Sequence, residues 1–133
     1  MKKEIEITVK RALKKIPAGL RHEITLAETI KCVLFQWIRE QELIPVPHYR
    51  PPRRQEEPLP LVAFKRGGEI VYAFAIAPVV TLGAMKTLKA IEVKEKYFIT
   101  FSSFKKKVEE SKFFLTPDVV HIHLGEESES SLR

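Results

Sequence analysis

Asparagine is missing from this chain altogether, and cysteine and aspartate occur once each, as Cys32 and Asp118. A single cysteine excludes an intrachain disulfide and any metal site built on several thiolates. No apolar run approaches the roughly 18 residues of a membrane-spanning helix. The opening residues, Met1-Lys2-Lys3-Glu4-Ile5-Glu6, mix charged with apolar side chains and lack the continuous apolar region of a secretion signal. A cytoplasmic protein is therefore expected. Glycine-rich phosphate loops, a dinucleotide fingerprint and an ordered Ser/His/Asp signature are also missing. Scarce thermolabile residues with abundant Lys and Glu form the hyperthermophile pattern, which points to a thermophilic archaeon or bacterium.

What is present is a basic globule. The 133 residues carry a net charge of +6, and 44% of them are hydrophobic. One domain is expected over residues 1–124, followed by a disordered acidic tail over 125–133. The tail holds Glu126, Glu127 and Glu129 against Arg133, so the positive excess belongs to the body. Such a balance attracts polyanions at long range.

The organising stretch is Leu61 to Pro78. Two apolar runs flank Lys65-Arg66-Gly67-Gly68-Glu69, and Gly67-Gly68 suits a tight two-residue turn. The second run is apolar in both alternation classes, as in a central strand covered on each side. Elsewhere, Ile5, Ile7 and Val9 alternate with charged or polar neighbours, which predicts an edge strand over Glu4 to Lys10. Lys10 to Arg21 then reads as a basic arm or loop.

Thr25-Leu26-Ala27-Glu28 has capping-box spacing and predicts a helix to about Leu43. Its inward face would carry Leu26, Ile30, Val33, Leu34, Trp37 and Ile38. Ile44 to Pro60 holds six of the nine prolines and predicts a long connection without regular structure. A short helix is expected over Leu82–Lys89, and one long or two short strands over Ile91–Phe101. Another helix should run from Phe104 to about Phe114, with Phe104 and Val108 inward, before a last strand over Asp118–Leu124.

The sum is an α+β domain, with a mostly antiparallel or mixed sheet of four to five strands, a central hairpin and helices packed on it.

Three sets of residues are candidate nucleic-acid contacts. Lys31, Phe35 and Arg39 form a row on the outer face of the first predicted helix. His48, Tyr49, Arg50, Arg53 and Arg54 cluster in the proline-rich stretch, and Lys65-Arg66 sit at the hairpin turn. Aromatic and guanidinium groups stack on bases, and Arg pairs with phosphate in a forked geometry. Lys105-Lys106-Lys107 opens a predicted helix against the macrodipole preference, a placement that makes more sense beside an anion. His121 and His123 lie two apart on a predicted strand, with no third ligand nearby to complete a zinc site.

The stretch Ile91-Glu92-Val93-Lys94 would place Glu92 and Lys94 on one face of a strand. With Lys96 and the helix from Phe104, it resembles the E-x-K element of the PD-(D/E)-x-K nuclease superfamily, archaeal Holliday-junction resolvases included, over roughly residues 90–124. That resemblance implies a Mg²⁺-dependent nuclease using Glu92 and Lys94, with Glu69 and Glu28 as further carboxylates. The usual earlier aspartate is missing. In size, charge, composition and paired aromatic and basic elements, the chain also resembles the ThermoDBP-type single-stranded nucleic-acid binding proteins of hyperthermophilic archaea. That likeness implies a basic cleft with apolar or aromatic walls that holds unpaired bases, and no catalysis; outside the nuclease alternative no cofactor or metal is expected. Non-catalytic binding of single-stranded DNA or RNA is the leading expectation, with the nuclease and a protein-assembly module, including a homodimer, as alternatives.

Overall fold

The computed structural model describes residues 1–52 and 56–125. Helices α1 (Lys2–Lys14) and α2 (Glu23–Glu40) precede a three-stranded antiparallel run of β1 (Ile44–Tyr49), β2 (Leu59–Phe64) and β3 (Ile70–Ala77). Then come α3 (Leu82–Ala90), β4 (Glu95–Thr100), α4 (Lys105–Ser111) and β5 (Val119–His123), with β4 and β5 each parallel to the preceding strand. The result is an α+β fold with a five-stranded mixed sheet in the order β1-β2-β3-β4-β5.

β3 lies at the centre of that sheet, as its two apolar faces require. Tyr72 and Phe74 point into one core with Trp37, Tyr97 and Ile99. Ala73 and Ala75 point into the other, where their small side chains let Ala84, Met85 and Leu88 of α3 approach. On the aromatic side Phe74 and Tyr97 stack 5.4 Å apart, and Trp37 and Tyr72 meet at 5.6 Å. Helices α1 and α2 cover this aromatic core, whereas α3 packs on the opposite face; α4 is tied to that side through Ser111, whose hydroxyl accepts from Val80 N–H at 3.0 Å. The hairpin turn is longer than two residues. Lys65 N–H donates to the Glu69 carbonyl, Gly68 N–H donates to the Lys65 carbonyl, and Gly68 has φ 97°, which glycine adopts without a Cβ clash.

Several elements differ from expectation. Glu4–Lys10 is helix, not strand: Ile5, Val9 and Leu13 recur every four residues and are buried. Burying each such side chain is worth about 1.5–3 kcal/mol, whereas Ile7, which the strand pattern also required inside, is exposed. A Glu6–Lys10 ion pair at 3.1 Å supports the outer face. Helix α2 starts before the proposed capping box, with His22 at its N-cap and no side-chain cap, so Thr25 lies in its first turns.

The proline-rich stretch contributes β1, an edge strand. Pro45 and Pro47 are two apart, consistent with both missing N–H groups facing away from β2. His48 takes φ 54°, a strained conformation for a residue with a Cβ. Residues 91–94 are not strand, and β4 starts only at Glu95. The two-histidine strand is as expected, and His121 and His123 share a face. Arg53, Arg54 and the acidic tail beyond Gly125 lie outside the described residues.

Candidate nucleic-acid interface

Among the described residues, the predicted contact residues do not form one surface. Phe35 is half-buried against the aromatic core, and Lys31 is held 3.1 Å from Glu28 on its own helix. Arg39 is exposed. Tyr49 is half-buried too, its ring edge-on to Phe64 at 5.7 Å. His48 and Arg50 are exposed near the end of β1, whereas Lys65 and Arg66 sit at the β2–β3 turn, at the opposite end of the sheet. Lys65 reaches Glu69 at 3.8 Å.

The carboxylates proposed for metal-assisted cleavage fare similarly. Glu92 and Lys94 are exposed in the α3–β4 connection, so no strand aligns them on one face. Glu69 is exposed in the hairpin turn, and Glu28 points outward from α2 beside Lys31. Among the described residues no group of three or more His, Cys, Asp or Glu side chains is gathered for a metal ion. No described helix is long and apolar enough to cross a membrane.

A different region joins flat side chains to cations. Beyond the carboxyl ends of β3 and β4, a cleft of about 380 Å³ is lined by residues that include Arg21, Glu23, Leu26, Ser103 and Phe104. Its floor is stitched by Pro78, whose carbonyl accepts from the backbone N–H groups of Phe101 and Ser102. On one side α1 ends in exposed Arg11, Lys14 and Lys15 and leads into the short turn Ala18–Leu20. Arg21 braces that wall, its guanidinium donating to the carbonyls of Leu13 at 2.7 Å and Ile16 at 3.2 Å.

On the other side stands α4. Phe104 is 65% exposed and Phe113, in the turn that follows the helix, is 87% exposed. Lys107 Nζ lies 5.3 Å from the centre of the Phe104 ring. Lys105 and Lys106 are exposed as well, and among the described residues no ion pair involves Lys105, Lys106 or Lys107. Lys112 pairs with Glu109 at 2.9 Å, and this hydrogen-bonded ammonium holds the Glu109 carboxyl below its usual range. An exposed pair of this kind is weak and screened by solvent, so a phosphate can compete for Lys112.

No protein-family model, curated protein or solved structure matches the chain.

Phe104 was expected inward because it stands four residues before Val108. It is the N-cap, with φ −87° and ψ 89°, so the helical angle that would turn it onto the Val108 face does not apply. Phe113 and Phe114 fall in the 3-10 turn Lys112–Phe114, where the 3.6-residue period has lapsed. The signal available in advance was the lysine triplet.

Behind α4 lies a buried polar knot. The Thr100 hydroxyl is 2.8 Å from both His121 Nε2 and His123 Nδ1. With one hydrogen, it donates to one ring and accepts from the other. Burial, reinforced by Lys112, His123 and Lys2, pushes His121 down to about 4, against an opposing pull from Glu109. His121 is therefore neutral at physiological pH, and a metal role finds no third ligand among the described residues.

Proposed function

We propose that this protein binds single-stranded nucleic acid without cleaving it, through the cleft and the α4 wall. The observation that carries the reading is the pairing of outward-facing Phe104 and Phe113 with Lys105, Lys106 and Lys107, which make no ion pair among the described residues. Large aromatic rings gain by leaving water, so rings standing in solvent beside cations suit a partner that is both flat and anionic. Unpaired bases expose their π-faces, and single-strand binders combine such stacking with a basic track for the backbone. In a duplex the same faces are hidden, which favours single strands.

Phe104 and Phe113 flank α4 at its two ends, so they could support separate bases of one strand. The basic end of α1, joined to the opposite wall by Arg21, offers further cations near the cleft. Affinity should fall with salt, at a slope of about −0.7 for each phosphate neutralised on a single strand.

Fluorescence anisotropy with labelled decathymidylate, alone and annealed to decaadenylate, tests this at 50 and 200 mM salt. The single strand should bind more tightly and weaken at the higher salt. Failure of the single strand to bind at 50 mM salt would overturn the reading. A labelled strand kept with Mg²⁺ should remain intact.

A further inference from the structure

Within the cleft, one wall residue is the wrong charge for a phosphate. Glu23 is exposed at the start of α2 and lines the same space as Phe104 and Ser103. A carboxylate repels phosphate but accepts hydrogen bonds through two oxygens set side by side. Its place in the first turn also suits the α2 dipole. That role concerns the backbone and leaves the outer lone pairs available to a ligand.

We infer that the cleft is a slot for one unpaired base, and that Glu23 makes it prefer guanine. The inference rests on the nucleic-acid reading above. A cleft of about 380 Å³ falls within the roughly 300–1,000 Å³ of small-ligand sites and admits one nucleoside. Phe104 offers a ring for stacking at the rim, and Leu26 and Phe101 supply apolar wall. The backbone phosphates on either side of that nucleoside would run toward Lys105–Lys107 and toward Lys14 and Lys15.

The base edge facing Glu23 must then donate. Guanine presents two adjacent donors on its pairing edge, the ring N1–H and the exocyclic amine, which match the two carboxylate oxygens. Adenine and cytosine offer an amine without a neighbouring ring N–H, and thymine and uracil offer a single N–H between two carbonyls. Those carbonyls would meet the carboxylate as like partners. Ser102 and Ser103 add hydroxyls near the cleft, and Ser102 Oγ already accepts from Phe104 N–H at 3.0 Å. Arg21 is committed to the carbonyls of Leu13 and Ile16 and shapes the wall.

The test is a set of thymidine decamers with one central G, A, C or T, titrated by anisotropy against the full chain and against Glu23→Gln. The G-centred decamer should bind about tenfold more tightly than the T-centred one, the scale of a good bidentate pair. Glu23→Gln keeps the shape but replaces one acceptor oxygen with a donor, so it should erase the preference by weakening the G-centred decamer relative to the T-centred one. Phe104→Ala should weaken every decamer by a similar factor. Glu23 is exposed, and matching thermal melts would confirm that the variant folds. Two results would overturn the slot: equal binding of all four decamers by the full chain, or a G preference that survives Glu23→Gln. Both leave the single-strand reading standing, whereas failure of every decamer to bind at low salt removes the two together.

Discussion

Two regions of this molecule hold the same kinds of side chain and use them in opposite ways. Around α2 and β1, Phe35 and Tyr49 lie close in sequence to Lys31, Arg39, His48 and Arg50, yet both rings are half-buried against the sheet's two cores. Around α4, Phe104 and Phe113 also lie among cations, yet both stand in solvent. The difference is how much neighbouring surface each element can reach. α2 spans 18 residues along the sheet, and β1 lies flat on its edge, so a ring on either finds apolar atoms to cover it. α4 has only seven residues and buries just Val108 and Ser111. Its flanking rings fall where helical geometry no longer turns them inward. Aromatic and basic residues in sequence proximity therefore do not make a binding surface until the packing has taken its share.

The largest effect that would break this contrast is electrostatic. Reversing Lys105, Lys106 and Lys107 together to Glu should lower single-strand affinity by about a hundredfold or more in low salt and flatten the salt dependence. The same anisotropy titration on Lys31→Glu with Arg39→Glu should change little.

Next come the rings at the packed end. Phe35→Ala and Tyr49→Ala should each cost about 2 kcal/mol of stability in urea unfolding, with binding preserved. Phe104→Ala and Phe113→Ala should do the reverse. Each loses about tenfold in affinity, within the range of a lost base stack, while the unfolding midpoint stays put.

The smallest effect concerns the polar knot behind α4. His121 is held near 4 in the folded chain against an ordinary value of 6.5, so between those values the unfolded chain binds the extra proton. Stability should be full above the unfolded value, fall as pH drops through it, and keep falling until about pH 4. His121→Gln should flatten that fall in thermal melts. An equal slope in the variant would place the titrating group elsewhere.

Much of the frame was readable beforehand. The doubly apolar run from Ile70 to Ala77 identified the central strand, because only a strand with cover on both faces tolerates that composition. The α2 core face followed from its period, and Ile30, Leu34, Trp37 and Ile38 are all buried. The first segment misled because Ile5, Ile7 and Val9 alternate as a strand does, while Ile5 and Val9 alone also fit a helical face over so short a window. Only Leu13, outside that window, breaks the tie toward helix. The proline-rich stretch misled because two of its prolines can sit on the outward side of an edge strand at no ladder cost.

The interface was the least readable part. Its cleft joins residues 18–26 to residues 101–104, which are distant in sequence and meet only at the end of the sheet. Charge alone marked the lysine triplet. Exposure of Phe104 and Phe113 depends on where α4 starts and stops, and element ends are the hardest feature to infer from periodicity.

The most direct test is to let the nucleic acid report its own position. A decamer with 5-iodouracil at each position in turn, photocrosslinked to the full chain and followed by peptide mapping, should attach to Phe104 or Phe113. Adducts confined to the peptides that hold Phe35 or Tyr49 would contradict the account.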